Sequence, residues 1–185
     1  MRSPVHQWSM MARAGYPGNV TLATLVRQLR GVAHANFVPW IFTERLGISL
    51  AVCDMLVMAP NGEYISLFPA WDRAQDATFT NLLVKGAVQV SASWSASKKQ
   101  AFGISIVARK AHIGEVRIKG LDCHDLAVKC ADGSTPQPKT EGDMTNFAAP
   151  PGIRCTLGCG NVSPSTGGVR LKLDDNDAAT SLALA

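Results

Sequence analysis

Apolar residues recur at spacings of three and four through Leu22, Leu25, Val26 and Leu29, which predicts a helix with one buried face. Asn19 or Thr21 is suited to cap it, and Gly31 weakens its continuation. A shorter helical pattern over residues 6 to 14 carries Trp8, Met10 and Met11 and is closed by Gly15, Pro17 and Gly18. From Glu44 to Met58, Leu46, Ser49, Leu50, Cys53, Leu56 and Val57 form a stripe so wide that the helix should be buried on most sides. His34 to Thr43, between the two longer helices, is an irregular link rich in aromatic residues. A helical hairpin of this kind cannot enclose a core alone, so its remaining apolar faces need other partners.

At Pro60-Asn61-Gly62 the period changes from helical to alternating. Tyr64, Ser66 and Phe68 fall on one side, Ile65 and Leu67 on the other. Strands are expected at Glu63–Phe68, Ala87–Trp94, Phe102–Ala108, Glu115–Lys119, Leu126–Lys129 and Ile153–Leu157, with a further apolar stretch at Phe79–Val84. Turn signals separate them, and short, evenly spaced, alternating strands predict an antiparallel sandwich. Residues 134 to 143, with Pro136, Pro138 and Gly142, read as a loop. The fold class is therefore α+β, a helical segment over 1–59 followed by a β-sandwich over 60–162. The polar and small-residue stretch 163–185 is expected to be a poorly ordered tail.

Composition narrows the function classes. Charged residues make up 17% of the chain and the net charge is +4. The basic residues are scattered along the sequence without interleaved aromatics, which argues against nucleic acid. The longest apolar run, Ile48 to Ala59, contains Asp54 and is too short to span a bilayer. The N-terminal residues lack the apolar core of a signal peptide. Five cysteines occur without a CxxC pair, so buried or free thiols are expected rather than a zinc site. A Cys123–Cys130 disulfide is conceivable but undecided. His6, His34, His112 and His124 have no metal-binding spacing, and Asp132-Gly133 is a turn rather than a calcium loop. No cofactor is implied.

Between Met55 and Ile106 several features occur in one order: Met55-Leu56, Asn61-Gly62, Leu67-Phe68-Pro69, Trp71, Asp76-Ala77, Lys85-Gly86-Ala87 and Val90-Ser91-Ala92-Ser93. This series resembles the passage from the catalytic barrel to the C-terminal β-domain in glycoside hydrolase family 95, the α-L-fucosidases and their relatives. The resemblance implies that the helices are the last of an (α/α)6 barrel and that the strands form the C-terminal sandwich. It implies a carbohydrate partner, a fucosylated or related glycan, and an upstream barrel domain as a second partner. Complete relatives are often secreted or periplasmic. The family's general acid and its supporting asparagines lie upstream of the matching segment and have no counterpart here, so the chain by itself should be inactive. A free-standing β-sandwich module that binds carbohydrate or another protein is the alternative.

Three residues are candidates for contact with sugar. Thr43-Glu44-Arg45-Leu46-Gly47 stands where the family carries an acidic motif, which makes Glu44 the candidate catalytic residue. A helix-start acid favoured by the macrodipole is its commoner role. Glycoside hydrolysis needs paired carboxylates about 5–9.5 Å apart. Glu44 and Asp54 lie ten positions apart, roughly 15 Å along a helix, so they cannot form that pair. Trp40 and Trp71 could stack on sugar rings, although aromatics more often pack into cores. Trp71 is expected to plug the helix-to-sheet junction, and Phe68 to be core.

Overall fold

The computed structural model describes residues 7–33, 41–109, 115–119, 121, 123 and 126–159, with side chains for 7–27, 47–109, 115–119, 121, 123 and 126–158. The expected tail at 163–185 and most of the link at His34 to Thr43 lie outside them.

Three helices come first: α1 (Gln7–Arg13), α2 (Gly18–Ala33) and α3 (Ile41–Leu56). The helix starts at Gly18, so Thr21 lies inside its first turn, while Asn19 Oδ1 accepts the backbone N–H of Val20 at 2.9 Å. The carbonyl of Pro17 also accepts the backbone N–H groups of Val20 and Thr21, both at 3.1 Å. Gly31 does not end the helix, which runs on to Ala33. The stripe expected on α3 is rotated by about one residue. Leu50 is 42% exposed, whereas Ala51 and Met55 are fully buried, with Ile48 and Val52 packed beside them. A helix that is apolar nearly all round does not select its own buried face; the neighbours α1 and α2 select it.

Gly18 is required by a close approach. A Cβ there would lie 2.4 Å from both the carbonyl carbon and oxygen of Trp71. The start of α2 therefore rests directly on the backbone of Ala70 and Trp71. Gly18→Ala should destabilise the fold by about 1–3 kcal/mol through overpacking, measured as a fall in the urea midpoint.

The strands are β1 (Val57–Met58), β2 (Ile65–Leu67), β3 (Ala77–Val84), β4 (Val88–Ser95), β5 (Gln100–Ala108), β6 (Val116–Lys119), β7 (Leu126–Cys130), β8 (Lys139–Glu141), β9 (Met144–Phe147) and β10 (Arg154–Cys159). They form two five-stranded sheets, ordered β1-β2-β6-β9-β8 and β3-β4-β5-β10-β7. Pairing is antiparallel except that β2 lies parallel to β6, Ile65 opposite Ile118. Residues 134–143 are not all loop, because Lys139–Glu141 is an edge strand. Its signal was the glycine-first loop Gly142-Asp143, with Gly142 at φ 62°, which joins Glu141 to Met144.

One core lies between the sheets. Ile65, Leu67, Val116, Ile118 and Phe147 from the first meet Phe79, Val90, Ala92, Ile104, Ile106, Val128 and Leu157 from the second. Ala12, Met55 and Leu56 extend the same core into the helical layer. The molecule is an α+β sandwich.

The cysteines correct the expectation of free thiols. Cys130 is bonded to Cys155, not to Cys123. Antiparallel pairing sets Cys155 directly opposite Cys130 on β7 and β10. Cys123 is also disulfide-bonded, and Cys53 is free.

Candidate functional site

The junction between helix and sheet is built by unusual backbone positions. After α3 and β1 the chain turns through a short 3-10 segment, Pro60–Gly62, with Asn61 at φ 54° and Gly62 at φ 78°. It then returns as β2, whose end is tied back to the helix. The N–H of Phe68 donates to the carbonyl of Leu56 at 2.7 Å, and that of Ala70 to Met55 at 3.4 Å. Phe68 itself has φ 52°, a left-handed conformation that side chains rarely adopt. Strict alternation would have placed Phe68 with Tyr64 and Ser66, away from Ile65 and Leu67. The kink turns its ring inward instead, where it is fully buried against Phe79 at 5.4 Å and Trp94 at 6.0 Å between ring centroids.

Trp71 belongs to this junction. Its side chain is buried, and its indole N–H donates to the carbonyl of Gln75 at 2.9 Å. A ring placed so has no open face to offer a sugar. The loop that follows is held by Asp72, which accepts from the N–H of Ala74, and by Asp76, which accepts from that of Ala96. Arg73 lies 4.1 Å over the ring of Trp94, whose N–H donates to the Arg73 carbonyl. Glu44 falls in the first turn of α3, and its side chain lies outside the described set. Trp40 lies outside the described residues. Of the three candidates, Trp71 alone has a described side chain, and it is packed into the junction.

A polar cluster that the pattern did not announce sits between α1 and α3. Asp54 is 7% exposed and accepts hydrogen bonds from Ser9 Oγ and from Arg13 Nε at 3.0 Å and Nη2 at 3.3 Å. A buried carboxylate is tolerated only when paired and hydrogen-bonded, and both its oxygens are engaged here. The sequence signal was a lone acid in an apolar helix. Its partners lie more than forty residues away, beyond any periodic pattern. Beside it, burial and the Asp54 charge push the Cys53 thiol above its ordinary pKa, which keeps it protonated at neutral pH and unreactive.

A small hollow opens where Gly62, Glu63, Tyr64, Lys85, Glu115 and Arg117 converge. Its volume of about 40 Å³ suits one or two waters and falls far short of the roughly 300–1,000 Å³ of a ligand pocket. Among the described residues no group of three or more His, Cys, Asp or Glu is placed to hold a metal ion. No described helix is long and apolar enough to cross a membrane.

No family model matches the chain, and no curated protein matches it.

Proposed function

We propose that this chain is the C-terminal β-sandwich of a family 95-like glycoside hydrolase, joined to the last helices of its (α/α)6 barrel, and that its role is supporting rather than catalytic. The observation that carries the reading is where the resembling residues fall. Met55-Leu56 ends α3, Asn61-Gly62 makes the positive-φ turn, and Phe68 of Leu67-Phe68-Pro69 is the kinked residue that closes β2. Gly86-Ala87, at φ 94° and 58°, turns β3 into β4, and Val90 to Ser93 lies within β4. Residue types matched at positions of demanding backbone geometry weigh more than the same types spread through regular strands. The bonded cysteines fit a secreted protein, since disulfides persist in oxidising compartments.

Two observations favour the supporting role. Asp54 is locked by Ser9 and Arg13, and the small hollow has no room for a sugar ring. The chain should therefore show no hydrolysis of aryl α-L-fucosides above the buffer rate. Added to a family 95 barrel lacking its own sandwich, it should raise that barrel's activity or thermal midpoint. Turnover by the chain alone would overturn the supporting role and make Glu44 the first residue to substitute. A barrel indifferent to the chain would overturn the family reading.

The packing of the helices favours a second reading, a free-standing β-sandwich module that binds carbohydrate or a protein. Leu25 and Met55 are closed within the molecule, and Leu22 packs on its core, as a self-sufficient domain requires. A chain that leaves the barrel unchanged but binds immobilised glycans would decide for it.

A further inference from the structure

We propose that the outer face of the sheet β3-β4-β5-β10-β7 binds an acidic polysaccharide bearing uronate carboxylates. This rests on the carbohydrate-active reading above and names a surface that the candidates Glu44, Trp40 and Trp71 do not include.

Strand register assembles the face in three rows. Leu83, Gln89, Val107 and Arg154 lie in one row across β3, β4, β5 and β10. Ser91, Ser105, Thr156 and Lys129 form the next, across β4, β5, β10 and β7. Thr78, Ser93 and Phe102 form the third. The residues between them, such as Val90, Ala92 and Ile106, point into the core. A register shift between Ser91 and Ser93 brings Phe102 round to the outer side. With neighbouring strands about 4.8 Å apart, a four-strand row spans roughly 14 Å, enough for a short stretch of glycan.

The charges on this face have one sign. Arg109, Lys129 and Arg154 are exposed, and none of the residues in the rows is acidic. The arginines lie along the sheet rather than away from it. Arg109 Nη2 donates to Gln89 Oε1 at 3.1 Å, and Arg154 Nη1 to Ser105 Oγ at 3.1 Å. Both acceptors are neutral, so each guanidinium is positioned without being neutralised. The described ion pairs involve Arg13, Arg117 and Lys119 instead. Solvated sheet faces ordinarily mix both signs of charge. Fixed cations among hydroxyls and an amide complement a ligand that carries carboxylates and hydroxyls together. Guanidinium forks match carboxylates in geometry as well as charge. Leu83, 67% exposed, with Val107 and Phe102, supplies apolar area for the C–H faces of sugar rings. These cations are far apart in sequence, so only the fold brings them together.

The test is titration calorimetry of the whole chain with an oligogalacturonate, in parallel with a neutral cello-oligosaccharide, a sulfated heparin oligosaccharide and oligo-dT. Oligogalacturonate should bind, weaken as salt rises, and lose at least about tenfold in affinity in the Arg109→Gln/Arg154→Gln variant. Both side chains are exposed, so the variant should keep the parent's circular dichroism and melting. No binding, an unchanged affinity in the variant, or equal binding of the neutral glycan would overturn the proposal. Tighter binding of heparin or of oligo-dT would also overturn it, by assigning the cations to sulfate or nucleic acid. A failure here leaves the supporting role standing, because that role is read from the barrel's activity.

Discussion

Phe68→Ala should lower stability by about 3–5 kcal/mol, the range for deleting a buried aromatic ring, and the melting temperature by roughly 10 °C for a domain of this size. The ring is fully buried and touches both Phe79 and Trp94, so its loss empties the point where β2, β3 and β4 meet. Alanine keeps the unfavourable φ of 52° and loses the packing that offsets it. Phe68→Gly separates the two effects, since glycine relieves the backbone but not the cavity. It should be no worse than alanine at this position, contrary to the usual order. Thermal and urea unfolding of the three proteins measure both differences. A loss below about 1 kcal/mol for alanine would place the ring outside the core.

Removing the Cys130–Cys155 bridge should have an effect of similar size. The bonded residues are 25 apart in sequence, for which the chain-entropy relation gives about 3.5 kcal/mol. Both sulfurs are buried between β7 and β10, so Cys130→Ala/Cys155→Ala also leaves a small void. The double variant is a cleaner probe than reductant, which would also attack the bond at Cys123. Its urea midpoint should fall with little change in slope. An unchanged midpoint would mean that the bridge does not form.

The sequence was most legible where a face is half buried. The alternation in Val88–Ser95, with Val90, Ala92 and Trp94 inward and Ser91, Ser93 and Ser95 outward, is the burial found for β4. It was least legible in α3, where apolar residues on every side left the buried face to be chosen by α1 and α2. It also failed at β8, whose residues are all exposed, because a strand without a buried side has no alternation to read. The Cys130–Cys155 pairing depends on β10 entering between β5 and β7, a long-range event that no local pattern encodes. For the candidate site, the packing role of Trp71 was foreseen. The Ser9–Asp54–Arg13 cluster and the cationic sheet face were not, since each is assembled from elements distant in the chain.

The position of β10 has a consequence in time. It is the last described strand in the chain, yet it lies inside its sheet, flanked by β5 and β7. Until residues 154–159 leave the ribosome, β5 and β7 have no strand between them and their backbone donors and acceptors face solvent. Earlier segments can pair locally, β3 with β4 and β4 with β5, but the second sheet can close only after synthesis has passed its final strand. Non-local closure of this kind is slow, and edges left open in the interval invite pairing with other chains. The Cys130–Cys155 bond, which joins β7 to that late-arriving strand, then fixes the closed sheet.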